Sequence, residues 1–281
     1  MRRNQLREKL TAGEPTLGTH LLSVWPTLIE LVGATGQYDY IEFSAEYAPF
    51  SMHDLDNMGR ALELANLGGM IKIEQTQYTH QAMRALGSGW QNLLFADIRS
   101  VADAREAVAA VRAETPSSRT WAGKGRLGVG MRRDVGTIRD VGSTNYIKAL
   151  DEAVIAIMVE KRECMEDLDN ILSVPGIDMI QFGPADYAMS IGKPGNWTHK
   201  EVQAAERKAI ETALAKGIAP RVELADPAQG AKYIEMGVKH FCIGWDVRIL
   251  HDWWRANGEG MRAMLTGDNA APAAKQAAST Y

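Results

Sequence analysis

The amino-acid sequence predicts an α/β protein folded as a closed (β/α)8 TIM barrel. Eight short apolar runs recur along its 281 residues, and longer segments with helical patterning separate them. Each run is mostly unalternated, which is typical of strands buried on both faces of a parallel sheet. The alternative is an open, doubly wound sheet, which would carry a glycine-rich phosphate loop after its first strand. Residues 23–26 read Ser-Val-Trp-Pro instead, so the closed barrel is favoured.

The elements follow one another in strict alternation. Strands are predicted at residues 16–22, 40–43, 70–73, 92–95, 154–159, 179–182, 220–224 and 240–243. Helices are predicted at residues 51–65, 101–112, 165–174, 198–216 and 227–236. Ser51 and Ser100 are of the type that caps a helix at its first turn, and Gly217 and Gly237 of the type that ends one. We expect one barrel domain over residues 1–265.

Two segments do not follow this alternation of strands and helices. Residues 114–146 are rich in Gly and Arg and show little apolar periodicity. Loops of this length inside compact domains are usually functional or disordered. Because this segment follows the fourth strand, we expect it to hang over the catalytic face. Residues 266–281 form a polar, Ala-rich tail that we expect to be mobile.

Composition and charge exclude several classes of partner. The net charge is −4, and no basic stripe interleaved with aromatic residues predicts nucleic-acid binding. No apolar run approaches the ~20 residues of a membrane span, so no membrane partner is expected. The first residues lack the order of a signal peptide, and Cys164 and Cys242 are too few for a disulfide framework. We therefore expect a cytoplasmic protein.

Acidic side chains cluster where the predicted strands end, which is the catalytic face of such barrels. They are Glu46, Glu74, Asp97, Glu160, Asp186, Glu223 and Asp246. Few basic residues in these positions compensate the charge, so a hard divalent cation such as Mg²⁺ or Mn²⁺ is expected among the oxygen ligands. Glu160 is the strongest candidate, because it directly follows the apolar run 154–159.

Three motifs at these positions resemble the HpcH/HpaI family of metal-dependent pyruvate aldolases. Residues 182–192 read Phe-Gly-Pro-Ala-Asp-Tyr-Ala-Met-Ser-Ile-Gly, residues 158–160 read Met-Val-Glu, and residues 45–49 read Ala-Glu-Tyr-Ala-Pro. The resemblance extends from about residue 17 to residue 265. It implies that Glu160 and Asp186 hold Mg²⁺, Mn²⁺ or Co²⁺, which acts as a Lewis acid on an enolate.

The resemblance also implies a substrate and an assembly. The substrate would be a 2-oxo acid that chelates the metal, with its carboxylate held by the turn Gly183, Pro184 and Ala185. The chain would join a homo-oligomer, a trimer of dimers that forms a hexamer, through an exchanged C-terminal helix. Trp253, Trp254 and Met261 could supply the apolar contact face, and packing within the chain is the equal alternative.

The sequence departs from the family pattern in the half of the site that moves protons. Tyr47 stands in place of the family's acid/base His, and residues 86–89 offer no supporting acid. Lys72 replaces an Arg, so it keeps the charge but not the planar fork. We expect Lys72, Tyr47, Glu46 and His20 to be catalytic. Glu223 is expected to contact substrate, with substrate, a metal-bound water or Lys72 as its partner.

These features predict a divalent-metal-dependent carbon–carbon lyase that cleaves a 4-hydroxy-2-oxo acid, or a related oxo acid, through an enolate. Pyruvate or a close analogue and an aldehyde would be the products. A metal-dependent decarboxylase or C–C hydrolase is the first alternative, because neither needs the missing His. A barrel that binds a metal–carboxylate ligand without turnover is the second.

Overall fold

A closed barrel of eight parallel strands forms the centre of the protein, in a computed structural model that describes residues 1–115 and 125–267. The strands pair in chain order, and the last closes against the first. The fold predicted from sequence is confirmed. The strands are β1 Thr16–Leu21, β2 Tyr40–Ser44, β3 Gly68–Ile73, β4 Asn92–Phe95, β5 Val154–Val159, β6 Met179–Phe182, β7 Ala219–Leu224 and β8 His240–Trp245.

Helices surround the barrel in the described residues. They are α1 Gln5–Ala12, α2 Pro26–Ala34, α3 Met52–Leu64, α4 Tyr78–Gly87, α5 Val101–Val111, α6 Thr144–Asp151, α7 Arg162–Glu166, α8 Leu168–Ile171, α9 Pro184–Ser190, α10 Lys200–Ala215, α11 Ala231–Glu235 and α12 Asp246–Thr266. Ser51 and Ser100 each begin a helix through a capping box, as their sequence positions predict.

Two of the predicted helices are broken into shorter pieces. The helix expected at residues 165–174 is α7 and α8, separated at Asp167, whose backbone angles (φ −114°, ψ 25°) are not helical. The helix expected at residues 227–236 begins as the 3₁₀ turn Pro227–Gly230 before α11. Apolar spacing over ten residues does not distinguish one helix from two turns that bury the same side chains.

Helix α1 closes the N-terminal end of the barrel. Leu6 is fully buried in a cluster with Tyr40, Met70, Leu94 and other interior side chains. The Asn4 side-chain amide donates to Oδ1 of Asn92, the first residue of β4, at 2.8 Å. Because one end is plugged, substrate can reach the barrel interior only from the C-terminal ends of the strands, where the candidate site lies.

The described part of the segment 114–146 lies at the N-terminal end of the barrel, whereas the sequence predicted it at the C-terminal end of the strands. Arg133 donates its backbone N–H to Gly87 at the end of α4 and pairs with Glu63 at the end of α3. The backbone of Asp134 accepts from Arg2, which precedes α1. The expectation of a loop over the catalytic face is wrong for these residues, because the segment connects the end of α5 to β5 at the N-terminal face. Residues 116–124 lie outside the described part.

Helix α12 leaves the barrel after β8 and ends at Gly267. In the described chain, no helix is both long and apolar enough to cross a lipid bilayer. Most of the predicted mobile tail, residues 268–281, lies outside the described residues.

Candidate active site

Glu160 and Asp186 stand at the C-terminal ends of two neighbouring strands, β5 and β6. The Glu160 side chain is 2% exposed, and its Oε1 accepts the backbone N–H of Asp97 at 2.8 Å. Burial raises the pKa of Glu160 to about 7, although Lys72 and the Asp97 N–H act in the opposite direction and Asp186 adds to the rise. The site therefore holds a buried carboxylate that a nearby cation would keep ionised.

The backbone at Asp97 is aimed at Glu160 by an unusual conformation. Asp97 has a φ of +61°, in the left-handed region that residues other than glycine rarely adopt. In that conformation its N–H points at the Glu160 carboxylate at the end of the adjacent strand. Strained backbone of this kind is often kept where it orients a functional group.

Two lysines neutralise the acidic rim. Lys161 Nζ lies 2.6 Å from Asp97 Oδ1 and 2.8 Å from Asp186 Oδ1. Lys72 Nζ lies 2.7 Å from Glu46 Oε2. The expectation that the acids have few compensating bases is therefore wrong. Lys161 comes shortly after β5 in sequence, and the residues around it do not predict that its side chain contacts the acids at the rim of the barrel.

Lys72 is hydrogen-bonded to Tyr47 and ion-paired with Glu46. Lys72 Nζ donates to the Tyr47 hydroxyl at 3.1 Å and also lies 4.9 Å from the centre of the Tyr47 ring. Burial opposes the charge of Lys72, but Glu160, Tyr47 and Glu46 together raise its pKa well above the ordinary value. Burial also raises the pKa of Tyr47 to about 12. At neutral pH, Lys72 is thus a fixed cation, and Tyr47 is a proton donor and not a base.

His20 and Glu223 meet across the mouth of the barrel. His20 Nδ1 lies 3.1 Å from Glu223 Oε1, and His20 Nε2 lies 2.5 Å from Ser44 Oγ. The Trp245 ring stacks on His20 with centroids 5.3 Å apart. The side-chain partners of Glu223 in the described chain are His20 and Gln181; Lys72, one of the three partners considered from sequence, pairs with Glu46 instead. Sequence distance hid the pair of Glu223 and His20, because β7 and β1 become near neighbours only when β8 closes the barrel.

A charged network missed by the sequence reasoning forms the floor of the site. Arg221 donates to the side chains of Glu42, Gln181 and Tyr40, all of them buried. The alternation of side chains along a strand could have predicted this network. It places Glu42 on the same face of its strand as Ser44, and Arg221 on the same face as Glu223.

Two of the acids singled out from sequence do not join the centre. Asp246 accepts the backbone N–H groups of Leu22 and Ser23, both at 2.9 Å, so it anchors the segment after β1. Glu74 lies after β3 and contacts Gln81 on α4 at 3.5 Å. Each of these two acids is hydrogen-bonded to nearby backbone or to a helix side chain.

Gly183 makes room for the Glu160 carboxylate. A Cβ atom built at this position would lie 2.5 Å from Glu160 Oε2 and 2.8 Å from Glu160 Cβ. Only glycine lets the turn 183–186 pass this close to β5. The turn, Glu160 and Asp186 therefore form one compact unit, as their shared motifs predict.

Comparison with known proteins agrees with this geometry. Residues 18–251 match the family profile described as HpcH/HpaI aldolase/citrate lyase. The chain belongs to the HpcH/HpaI aldolase/citrate lyase family. The resemblance drawn from the three motifs is confirmed, and the family relationship supports an aldolase-type lyase.

Relatives of this HpcH/HpaI protein span nearly its whole length. It is 30% identical over 249 residues to a 4-hydroxy-2-oxo-heptane-1,7-dioate aldolase of Salmonella heidelberg, covering 88% of this chain and 90% of the relative. A structure of an HpcH/HpaI aldolase/citrate lyase family protein from Burkholderia cenocepacia is 26% identical with a TM-score of 0.81, covering 92% and 100% of the two chains. A citrate lyase beta subunit from M. tuberculosis, complexed with oxaloacetate and magnesium, shares the fold at 12% identity and a TM-score of 0.52, over 84% and 93%.

The acidic centre of this HpcH/HpaI chain suits a hard divalent cation. Within residues 1–115 and 125–267, no group of three or more His, Cys, Asp or Glu side chains is arranged to hold a metal. Two carboxylates nevertheless match Mg²⁺ or Mn²⁺, which usually keep several waters and bind one or two protein carboxylates together with substrate oxygens. Glu160 and Asp186 could hold such an ion, and the burial of Glu160 gives the site a reason to take one up.

Proposed function

We propose that the protein is a divalent-metal-dependent carbon–carbon lyase of the class II aldolase type. Its substrate would be a 4-hydroxy-2-oxo acid or a related oxo acid, and its products pyruvate, or a close analogue, and an aldehyde. The observation that carries the proposal is the buried Glu160 carboxylate beside Asp186 and the tight Gly183 turn. The aldolase from Salmonella at 30% identity supports the reaction class.

Glu160 and Asp186 would hold the metal, with Mg²⁺, Mn²⁺ or Co²⁺ as candidates. When bound, it would supply Lewis-acid stabilisation of the negative charge that develops on the 2-oxo oxygen. The turn formed by Gly183, Pro184 and Ala185 would position the substrate carboxylate through its backbone. Because Gly183 packs against Glu160, the acid that holds the cation and the turn that holds the substrate are mutually fixed.

Lys72, Glu46 and Tyr47 would act on the reacting oxygens. Lys72 remains protonated at neutral pH, so it can stabilise an enolate oxygen as a preorganised cation. Glu46 fixes the Lys72 ammonium at 2.7 Å. The Tyr47 hydroxyl, with its pKa raised to about 12, keeps its proton and can donate a hydrogen bond to an alkoxide or carbonyl oxygen.

A second candidate function is decarboxylation of an oxo acid, or hydrolytic cleavage of a C–C bond. The observation that favours decarboxylation is the state of Tyr47, which occupies the position of the family's acid/base His but cannot accept a proton at neutral pH. Loss of CO₂ from a 3-carboxylate generates the same enolate without deprotonation of a 4-hydroxyl group.

Chelation followed by product analysis tests both candidates. The protein is stripped with a chelator, reconstituted with Mn²⁺, and incubated separately with 4-hydroxy-2-oxo-heptane-1,7-dioate and with oxaloacetate. We expect pyruvate from the first substrate in the reconstituted protein and a large loss in the stripped protein. Undiminished turnover after complete removal of metal would overturn the mechanism, and turnover of oxaloacetate alone would favour the decarboxylase.

We also propose that the protein is a homo-oligomer, a trimer of dimers, joined through α12. Trp253 and Trp254 are 63% and 61% exposed, and Met261 is exposed on the same helix. Packing within the described chain therefore does not cover these side chains. Apolar surface of this kind on a helix that leaves the barrel is typical of an interface between subunits.

A further inference from the structure

A hydrogen-bonded chain of three side chains crosses the mouth of the barrel from β7 to β2. Glu223 Oε1 lies 3.1 Å from His20 Nδ1, and His20 Nε2 lies 2.5 Å from Ser44 Oγ. Stacking on Trp245 fixes the plane of the imidazole. A carboxylate on one ring nitrogen and a hydroxyl on the other is the arrangement by which enzymes orient an imidazole and set its proton.

The charges around His20 are balanced in two pairs. Arg221 is committed to Glu42, Gln181 and Tyr40 on the floor of the site, which leaves His20 as the cation nearest to Glu223. Burial alone would lower the pKa of His20, but the carboxylates of Glu42 and Glu223 outweigh burial and the opposing charge of Arg221, so its pKa is raised. The groups that face His20 are thus Glu42 and Ser44 from β2, Glu223 and Arg221 from β7, and Trp245 from β8.

Glu223 is the member of this chain that reaches open space. Its side chain is 20% exposed, against 8% for His20 and 1% for Glu42. Within the barrel mouth it contacts the neighbouring strands and is not closed off by them. Gln181 donates to Glu223 Oε2 at 3.3 Å, and Gln181 lies on β6, the strand that leads into the turn beside Asp186.

Cleavage of a 4-hydroxy-2-oxo acid requires a group that accepts the proton of the 4-hydroxyl. Tyr47 cannot accept it, because its pKa is about 12 and its proton is already bound at neutral pH. Lys72 is protonated, and Glu46 and Asp186 are each held by a lysine ammonium. Glu223 differs from these acids, since its partner is an imidazole that can itself exchange a proton.

We propose that Glu223 is the catalytic base for the 4-hydroxyl and that His20, held by Ser44 and Trp245, is its positioning residue. The inference rests on the proposed function. The Glu223 carboxylate takes the hydroxyl proton as the C3–C4 bond breaks. The electron pair of that bond moves to C3 to form the enolate, and C4 becomes the aldehyde carbonyl. The proton then passes from Glu223 to C3, which yields the methyl group of pyruvate and restores the carboxylate.

Two substrates separate this role from a general loss of activity. In the Mn²⁺-reconstituted protein, Glu223→Gln should lower kcat/KM for cleavage of 4-hydroxy-2-oxo-heptane-1,7-dioate by about 10²–10⁴, the usual range for loss of a general base. Decarboxylation of oxaloacetate should fall much less than cleavage, because that reaction forms the enolate without deprotonating a hydroxyl and shares with cleavage only the protonation of C3. Glu223→Asp, which keeps the carboxylate, should recover part of the cleavage activity. Glu235→Gln, at an exposed acid on α11 away from the barrel mouth, is the charge-matched control and should change neither reaction.

The His20→Gln variant tests the positioning role. We expect cleavage to lose kcat with little change in KM and the pH dependence of cleavage to shift, while decarboxylation loses less of its kcat. Equal loss of both reactions in Glu223→Gln, or no loss in either, would overturn the assignment of the base. If the wild-type protein converts neither substrate in the presence of Mn²⁺, the proposed function itself is overturned, and the role of Glu223 falls with it.

Discussion

Glu160 shows how one buried side chain links stability to ligand binding. It has a backbone donor from Asp97 and the charge of Lys72 nearby, yet burial still raises its pKa to about 7. A carboxyl group in this state carries a proton for part of the neutral range. Any cation that needs the carboxylate must displace that proton.

The affinity for metal should therefore depend on pH in the range where Glu160 titrates. Below a pH of about 7, the apparent affinity for Mn²⁺ should rise by roughly tenfold per pH unit, and above it the affinity should level off. Calorimetric titration of the chelator-stripped protein between acid and mildly alkaline pH measures this. Glu160→Gln should abolish binding, whereas Glu163→Gln, at an exposed acid on α7, should leave the profile intact. A pH-independent affinity would contradict the assignment of Glu160 as a ligand.

Metal affinity is expected to rise with pH, whereas the contribution of His20 to the stability of the fold is expected to fall as the pH rises. Its pKa is raised in the folded protein, so the imidazolium stabilises the fold below the ordinary pKa of about 6.5, and this stability is lost as the pH rises through the raised value. At pH 5.5, His20→Gln should lower the free energy of unfolding by about 3 kcal/mol, since Glu42 and Glu223 lose their cation.

The difference between wild type and His20→Gln should shrink as the pH rises. Urea unfolding at a series of pH values measures it, and His251→Gln, at an exposed histidine on α12, is the matched control. A difference that grows with pH would show that His20 is held neutral in the folded protein.

The turn between β6 and α9 packs directly against a residue of the candidate site. Gly183 has an ordinary extended backbone, so its requirement for glycine comes from space and not from its φ angle. The Glu160 carboxylate occupies the volume that a methyl group would need. The strand end and the turn are thus packed against each other at van der Waals distance.

Gly183→Ala should impair both metal binding and folding. The new Cβ would collide with Glu160 Oε2 and Cβ and displace the carboxylate. We expect the affinity for Mn²⁺ to fall by at least about tenfold, with a loss of stability of about 1–3 kcal/mol from overpacking. Calorimetry and thermal unfolding measure the two effects. Gly128→Ala, where an added Cβ meets nothing within 4 Å, is the control and should alter neither quantity. Wild-type affinity in Gly183→Ala would contradict the close packing.

At the scale of the whole molecule, the barrel is plugged at one end and open at the other. Helix α1 inserts Leu6 into the interior, and the described part of the segment 114–146 packs at the same end. The open end therefore carries the candidate site. Helix α12 extends from β8 with an apolar surface that the described chain does not cover. That residues 1–265 form one domain remains a prediction.

The exposed surface of α12 should mediate assembly. Trp254→Glu replaces an exposed aromatic side chain by a carboxylate beside Val247 and Leu250 of the same helix, at a site that His251 and Arg255 also line. We expect this variant to dissociate into smaller species, because burying an unpaired charge at an apolar interface is costly. Light scattering coupled to size-exclusion chromatography gives the mass of each species. Glu259→Gln, a polar position on the same helix, should keep the wild-type mass, and a monomeric wild-type protein would contradict the proposal.

The sequence by itself predicts the barrel, because each strand is a local run of apolar residues and the helices at residues 51–65 and 101–112 begin at a local Ser cap. It also predicts that Glu160 and Asp186 lie near each other, since short motifs at the ends of successive strands meet at one rim; that the two hold a metal remains a proposal. These features depend on neighbours in the chain, so local patterns are enough to predict them.

Only the tertiary structure decided which charges neutralise one another. Lys161 turns back to Asp97 and Asp186, Glu223 pairs with His20 across the closure of the barrel, and Arg221 reaches Glu42 beneath the site. These contacts join residues from 25 to more than 200 positions apart, and their geometry depends on strand register and on which side chains already fill the interior. The motifs thus predict the proposed metal half of the site, whereas the proposed proton-transfer half depends on side chains that meet only where β7, β8, β1 and β2 come together.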